Sequence, residues 1–157
     1  MSDIKQIEAD GNVSDSRVAL VVSRYNNFIV DRLLEGCINT LVNAGIKRAN
    51  IRLIMVPGAF EIPVAVKRLA DSTKVDAIIT LGAIIRGETP HFDIIANECA
   101  RGIGSIAIET SLPVIFGVLT VDNVEQAMDR SGDEESNKGS EAAQTAVEMI
   151  SVLRQIT

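Results

Sequence analysis

Apolar and polar positions fall into blocks along this chain, and the spacing inside each block separates strands from helices. Arg17-Val18-Ala19-Leu20-Val21-Val22-Ser23 is a short β-branched run closed by polar residues, the pattern of a buried strand. Over residues 26–43, Val30, Leu33, Leu34, Cys37, Ile38, Leu41 and Val42 recur at helical spacing, and Gly45 comes next as a stop. Residues 51–56 read as a second strand and Pro57-Gly58-Ala59 as a turn. Residues 61–72 read as a helix with Ile62, Ala65, Val66 and Leu69 on one face. Residues 76–85 form a third, almost wholly apolar strand. Residues 91–111 read as a helix that Gly102 and Gly104 weaken. A fourth strand is predicted over 113–120 and a short helix over 123–130. A polar loop over 131–139 then leads to a last helix, 140–155, which buries Ala143, Ala146, Val147, Ile150 and Leu153.

Strands that alternate with helices and are apolar throughout predict a parallel sheet covered on both faces. The expected fold is a three-layer α/β/α sandwich around a four-stranded parallel sheet, flavodoxin-like in class. Residues 1–157 read as a single domain of ordinary size, able to bury roughly 68–70% of its unfolded surface. Residues 1–15 have no place in that scheme. They are either disordered or an arm that pairs elsewhere, as with a neighbouring subunit.

Composition narrows the partners. Apolar residues make up 46% and aromatics only 3%, with no Trp, so Ile, Val, Leu and Ala must build the core. A formal charge of −6 argues against a nucleic-acid or anionic-membrane surface, and any anionic ligand must find its cations locally. Cys37 and Cys99 are isolated, with no CxxC spacing and a single histidine in the chain, so no metal site is expected and both read as small buried apolar residues. No apolar leader and no membrane-length run is seen, which predicts a cytoplasmic protein.

In open α/β sheets ligands sit beyond the carboxyl ends of the strands, so the residues at each strand exit are the candidates for function. Strand one leads to Arg24-Tyr25-Asn26-Asn27-Phe28, strand two to Pro57-Gly58-Ala59-Phe60-Glu61, and strand three to Arg86-Gly87-Glu88-Thr89-Pro90-His91. Tyr25 and Phe60 can stack on a flat ring or simply cap the core. Glu61 can hold hydroxyls or a ring N–H, or act only as a carboxylate at a helix start. The Gly87-Glu88-Thr89 amides can cradle a phosphate. His91, the only histidine, is either the proton-transfer group of this edge or a surface residue. Arg130 and Lys138, at the two ends of the polar loop, can supply cations to an anionic substrate.

The set Arg24-Tyr25-Asn26, Val56-Pro57-Gly58-Ala59-Phe60-Glu61-Ile62-Pro63, Leu81-Gly82-Ala83-Ile84-Ile85-Arg86-Gly87 with His91-Phe92, Val114-Ile115-Phe116-Gly117-Val118-Leu119-Thr120 and Asn137-Lys138-Gly139 closely resembles the 6,7-dimethyl-8-ribityllumazine synthase family. The likeness runs in one register from about Arg17 to the end of the chain. The resemblance implies condensation of 5-amino-6-(D-ribitylamino)uracil with 3,4-dihydroxy-2-butanone 4-phosphate, the penultimate step of riboflavin biosynthesis, without metal or organic cofactor. It implies that Tyr25 and Phe60 hold the pyrimidine, and that Ala59, Glu61, Ala83, Ile84 and Ile85 line its ring and ribityl chain. It places the Glu88 and Thr89 amides on the phosphate and gives His91 the proton transfer. Phe116, Arg130 and Lys138 are expected to reach the site from a neighbouring subunit, with Arg130 on the phosphate. The family's unit is a pentamer, and some members assemble twelve pentamers into an icosahedral shell.

Three positions depart from the family pattern. Tyr25 replaces the usual Phe. Glu88 stands where small residues are usual and must point away from a phosphate. The loop Gly132-Asp133-Glu134-Glu135-Ser136 has the length but not the sequence of shell-forming relatives. Three other readings fit the fold class: a flavin carrier, a phospho-acceptor receiver, and a catalytically idle flavin-binding or shell-forming scaffold. The first wants a Ser/Thr-rich loop after strand one and the second wants acidic residues after strand one or two. Neither is present. The third rests on Glu88.

Overall fold

The computed structural model describes residues 3–156; Met1 and Ser2 of the expected arm, and Thr157, lie outside the described residues. The elements run in the order β1 (Val18–Ser23), α1 (Asn27–Asn43), β2 (Ile51–Val56), α2 (Ile62–Ser72), β3 (Ala77–Ile85), α3 (His91–Thr110), β4 (Val114–Val121), α4 (Val124–Asp129) and α5 (Lys138–Gln155). The strands form one parallel sheet in the order β2-β1-β3-β4. Val18 lies opposite both Ile51 and Ala77, and Ile78 lies opposite Val114.

Successive strand residues point to opposite faces, and each face has its own core. Leu20, Ile79 and Leu81 pack with Leu33, Cys37 and Leu41 of α1 and with Ala143, Ala146 and Ile150 of α5. Ala19, Val21, Ile78 and Val118 pack with Ile62, Val66 and Leu69 of α2 and with Cys99, Ile103 and Ile106 of α3. This is the three-layer α/β/α arrangement. Burial pushes the Cys37 thiol up to about 12 and the Cys99 thiol up to about 11, so both stay protonated at neutral pH.

The structure corrects several expectations. The edge strand β2 is not covered on both faces: Leu53 and Met55 are each 46% exposed. They point to the α1/α5 side, where those helices cover the three strands further along the sheet. Helix α3 bears out the helix expected over 91–111 and runs unbroken through Gly102 and Gly104. At Gly102 the reason is packing, since a Cβ there would lie 2.8 Å from the Pro63 ring of α2. The last helix starts two residues earlier than periodicity suggests, because the Asn137 side chain accepts from the amides of Gly139 and Ser140 and caps it. Lys138 is therefore the first residue of α5 and not the end of a loop.

The arm is also ordered in part on its own chain. The Asp10 amide donates to Ser151 Oγ at 2.9 Å, the Gln155 side chain donates to the Glu8 carbonyl at 2.7 Å, and Val13 is fully buried. Backbone and Ser151 hydrogen bonds hold the Asp10 carboxyl below its ordinary range.

Candidate functional site

The strand order reverses between β1 and β3, which makes the crevice beyond their carboxyl ends the expected binding place. The register shapes that crevice. Pairing between β1 and β3 ends at Val22 and Leu81, while β3 continues against β4 to Ile85. Ala83, Ile84 and Ile85 thus run past the end of β1 with a strand partner on one side only. The chain leaving β1 turns away at Asn26, whose backbone is left-handed at φ 60°, a conformation Asn tolerates better than most residues. Its side-chain amide donates to the Ala83 carbonyl at 2.8 Å and so ties the two exits together. Asn26 lay within a motif in the sequence but had no role assigned; its signal was the position directly after a strand.

Tyr25 is held by backbone bonds from Arg24 and Tyr25 amides to the Pro57 carbonyl, both 3.1 Å. Those bonds bring the β1 and β2 exits side by side. The Tyr25 ring lies over Gly58, where a Cβ would come within 2.7 Å of it, and Glu61 Oε2 would lie 3.2 Å from the same Cβ. Gly58 is therefore the floor on which the aromatic ring and the carboxylate meet. Tyr25 is 65% exposed and Phe60 54%, so neither caps the core. Ala59 is buried beneath them in a short 3-10 turn that precedes α2.

The β3 exit completes this edge. Arg86 through Pro90 form an exposed turn, and His91 opens α3 with its side chain open to solvent. The Thr89 hydroxyl accepts from the His91 amide at 3.4 Å. Glu88 and Thr89 are exposed in that turn. Amides at the start of a 20-residue helix carry partial positive charge, which suits an anion beside an imidazole.

Phe116, Arg130 and Lys138 lie elsewhere. They line a groove of about 490 Å³ along the edge strand β4, together with Thr120, Glu141 and Thr145. An antiparallel bridge between Ser131 and Asn137 folds the polar loop back on itself, and the Lys138 amide donates to the Arg130 carbonyl at 2.8 Å. The two cations are thus neighbours. Lys138 pairs with Glu141 at 2.7 Å, whereas Arg130 Nη1 donates only to the Gln126 carbonyl at 3.1 Å and has no carboxylate partner among the described residues. Neither this groove nor the recess beside it, which Phe116 shares with Arg86 and Phe92, includes Tyr25, Phe60 or Glu61. No cluster of three or more His, Cys, Asp or Glu suited to a metal occurs among the described residues.

The fold and this edge define a protein of the open α/β class whose strand exits carry exposed aromatic, carboxylate and histidine side chains at the carboxyl ends of the sheet. The chain belongs to the 6,7-dimethyl-8-ribityllumazine synthase family, whose model matches residues 15–154. A protein of Chlorobium phaeovibrioides (strain DSM 265 / 1930) named 6,7-dimethyl-8-ribityllumazine synthase is 50% identical over 151 residues, which cover 96% of this chain and 97% of the relative.

Proposed function

We propose that the protein is a riboflavin-pathway transferase that condenses 5-amino-6-(D-ribitylamino)uracil with 3,4-dihydroxy-2-butanone 4-phosphate, releasing phosphate and water. The observation that carries this reading is the 50% identity to a lumazine synthase along 96% of the chain. The geometry of the strand exits supports it. Exposed Tyr25 and Phe60 take the pyrimidine, with Glu61 beside them. The backbone of Ala83, Ile84 and Ile85, which runs past the end of β1, takes the ribityl chain. The Glu88 and Thr89 amides meet the phosphate, and the Glu88 carboxylate turns to solvent.

The chemistry asks for proton movement more than for a strong nucleophile. The uracil's amine adds to the ketone and a first water leaves; phosphate is then eliminated, the resulting enol becomes a carbonyl, and the second amine closes the ring on that carbonyl carbon with loss of a second water. His91, at the start of α3 next to the phosphate turn, gives and takes those protons. No cofactor is required for these steps.

In this reading Phe116, Arg130 and Lys138 act on the site of the adjacent subunit in a pentamer, with Arg130 on the phosphate. Arg130 has no carboxylate to neutralise it among the described residues, which supports that role. Residues 1–157 work as one domain, and the outer part of the arm, before its docked residues Glu8 to Val13, pairs with a neighbour. Ile4 is 69% exposed and Ile7 36%, apolar side chains that a partner would cover. The protein works in the cytoplasm, in keeping with two free thiols and with no described helix long and apolar enough to cross a membrane. Purified protein mixed with both substrates should form the lumazine chromophore and release phosphate in equal amounts. Absence of both at saturating substrate would remove the enzyme reading.

A further inference from the structure

Arg86 is not among the residues expected to touch substrate, yet it is the best-connected side chain near them. Its backbone amide donates to the Val121 carbonyl at 2.9 Å, which fixes the start of the phosphate turn to the end of β4. Its guanidinium then reaches three ways. Nε donates to Asp122 Oδ1 at 3.0 Å, Nη1 donates to both carboxylate oxygens of Asp93 at 3.3 Å, and the group lies 4.2 Å over the Phe92 ring. Asp93 and Phe92 belong to the first turn of α3, immediately after His91. The bond from residue 86 to residue 93 therefore closes a loop around Gly87, Glu88, Thr89, Pro90 and His91.

That loop needs a tie. All five of its inner residues are exposed, and a Cβ at Gly87 would meet nothing within 4 Å. Little else fixes the turn that would hold the phosphate against the imidazole. The guanidinium is also unsuited to binding phosphate itself, because two carboxylates already take its charge. Those carboxylates, Asp122 first and Asp93 second, raise its pKa above the ordinary arginine value. A planar fork with several fixed N–H directions can serve Asp122, Asp93 and the Phe92 face together, which a lysine cannot.

We infer that Arg86 is a positioning residue: with Asp93 and Asp122 it clamps the 87–91 turn between α3 and β4 and so sets the phosphate amides and His91 in register. The inference rests on the proposed condensation. The carboxylates are well exposed, and exposed ion pairs add little to global stability. The clamp's effect is therefore local.

The test compares wild-type protein with Arg86→Ala, Arg86→Lys and Asp93→Asn in steady-state kinetics with each substrate varied in turn, alongside thermal unfolding. Wild-type turnover first establishes the reaction, so a silent wild type counts against the function and not against the clamp. Given turnover, Arg86→Ala should lose roughly 10- to 100-fold in kcat/KM for the phosphorylated ketone, since a misplacement near 1 Å costs that much. The KM for the uracil should change less than twofold. Guanidinium added at millimolar concentration should restore part of the Arg86→Ala activity, and Arg86→Lys should fall between Ala and wild type with the same bias towards the ketone. Equal loss for both substrates, or wild-type kinetics in Arg86→Ala, would overturn the inference. If Arg86→Ala does not fold, Arg86→Lys and Asp93→Asn carry the same test of substrate bias.

Discussion

The carboxyl edge of β1–β3 and the flank of β4 are built in different ways. At the first, three strand exits lie side by side: Tyr25 rests over Gly58, Asn26 binds the Ala83 carbonyl, and the turn after β3 leads to His91 at the start of α3. Backbone and side-chain contacts between strand exits shape it, and its Arg86 is neutralised by Asp93 and Asp122. The β4 flank has the opposite balance. It offers a long groove and an Arg130 without a carboxylate partner among the described residues, but neither Tyr25, Phe60 nor Glu61 lines that groove. This difference supports the proposal that the two regions serve one site from different subunits.

Damage to the two regions should differ in kind. The largest effect belongs to His91 on the strand edge. His91→Ala should lower turnover by ~10²–10⁴-fold while leaving the site able to position both substrates. Rapid-quench or continuous absorbance measurement of lumazine formation checks this, and unchanged turnover would remove His91 from the mechanism. On the β4 flank, the proposed phosphate role of Arg130 makes Arg130→Ala the loss of a charge-assisted contact worth about 1.5–3 kcal/mol. It should cost roughly 10- to 100-fold in kcat/KM for the phosphorylated ketone and little for the uracil. Equal effects on both would place Arg130 away from the phosphate.

The smallest effect separates the edge's own parts. In Gly58→Ala the new methyl would press within 2.7 Å of the Tyr25 ring, and the exposed ring can move aside. Loss of a good stacking contact is worth ~0.5–1.5 kcal/mol, so the KM for the uracil should rise between twofold and tenfold. The ketone's KM and the unfolding temperature should hardly change. A larger effect on the ketone would mean that Tyr25 does not face the pyrimidine.

Periodicity made the strands and helices legible to within a residue or two, because the strands are dominated by apolar residues and each long helix shows an apolar stripe. It misplaced the start of α5, where a side-chain cap from Asn137 and not apolar spacing decides the boundary. It also overestimated cover on β2, since a strand's own residues do not tell whether a helix reaches the sheet's edge. The candidate residues after β1, β2 and β3 could be read from strand order alone. Three things could not. Asn26 and Arg86 act through contacts with residues 57 and 36 positions away in the chain, and no local pattern marks such a pair. The third is the arm. Its polar composition gave no sign that Glu8, Asp10 and Asn12 dock on α5 more than 140 residues later.

The central claim is that one subunit's strand edge and another's β4 flank make each site. Co-expression of His91→Ala with the double variant Arg130→Ala/Lys138→Ala tests it directly. If sites are shared, random mixing at equal ratio restores about one intact site in four, so the mixture should be far more active than either parent. If every chain completes its own site, the mixture's activity will equal the mean of the two parents at every ratio, and the shared site is contradicted.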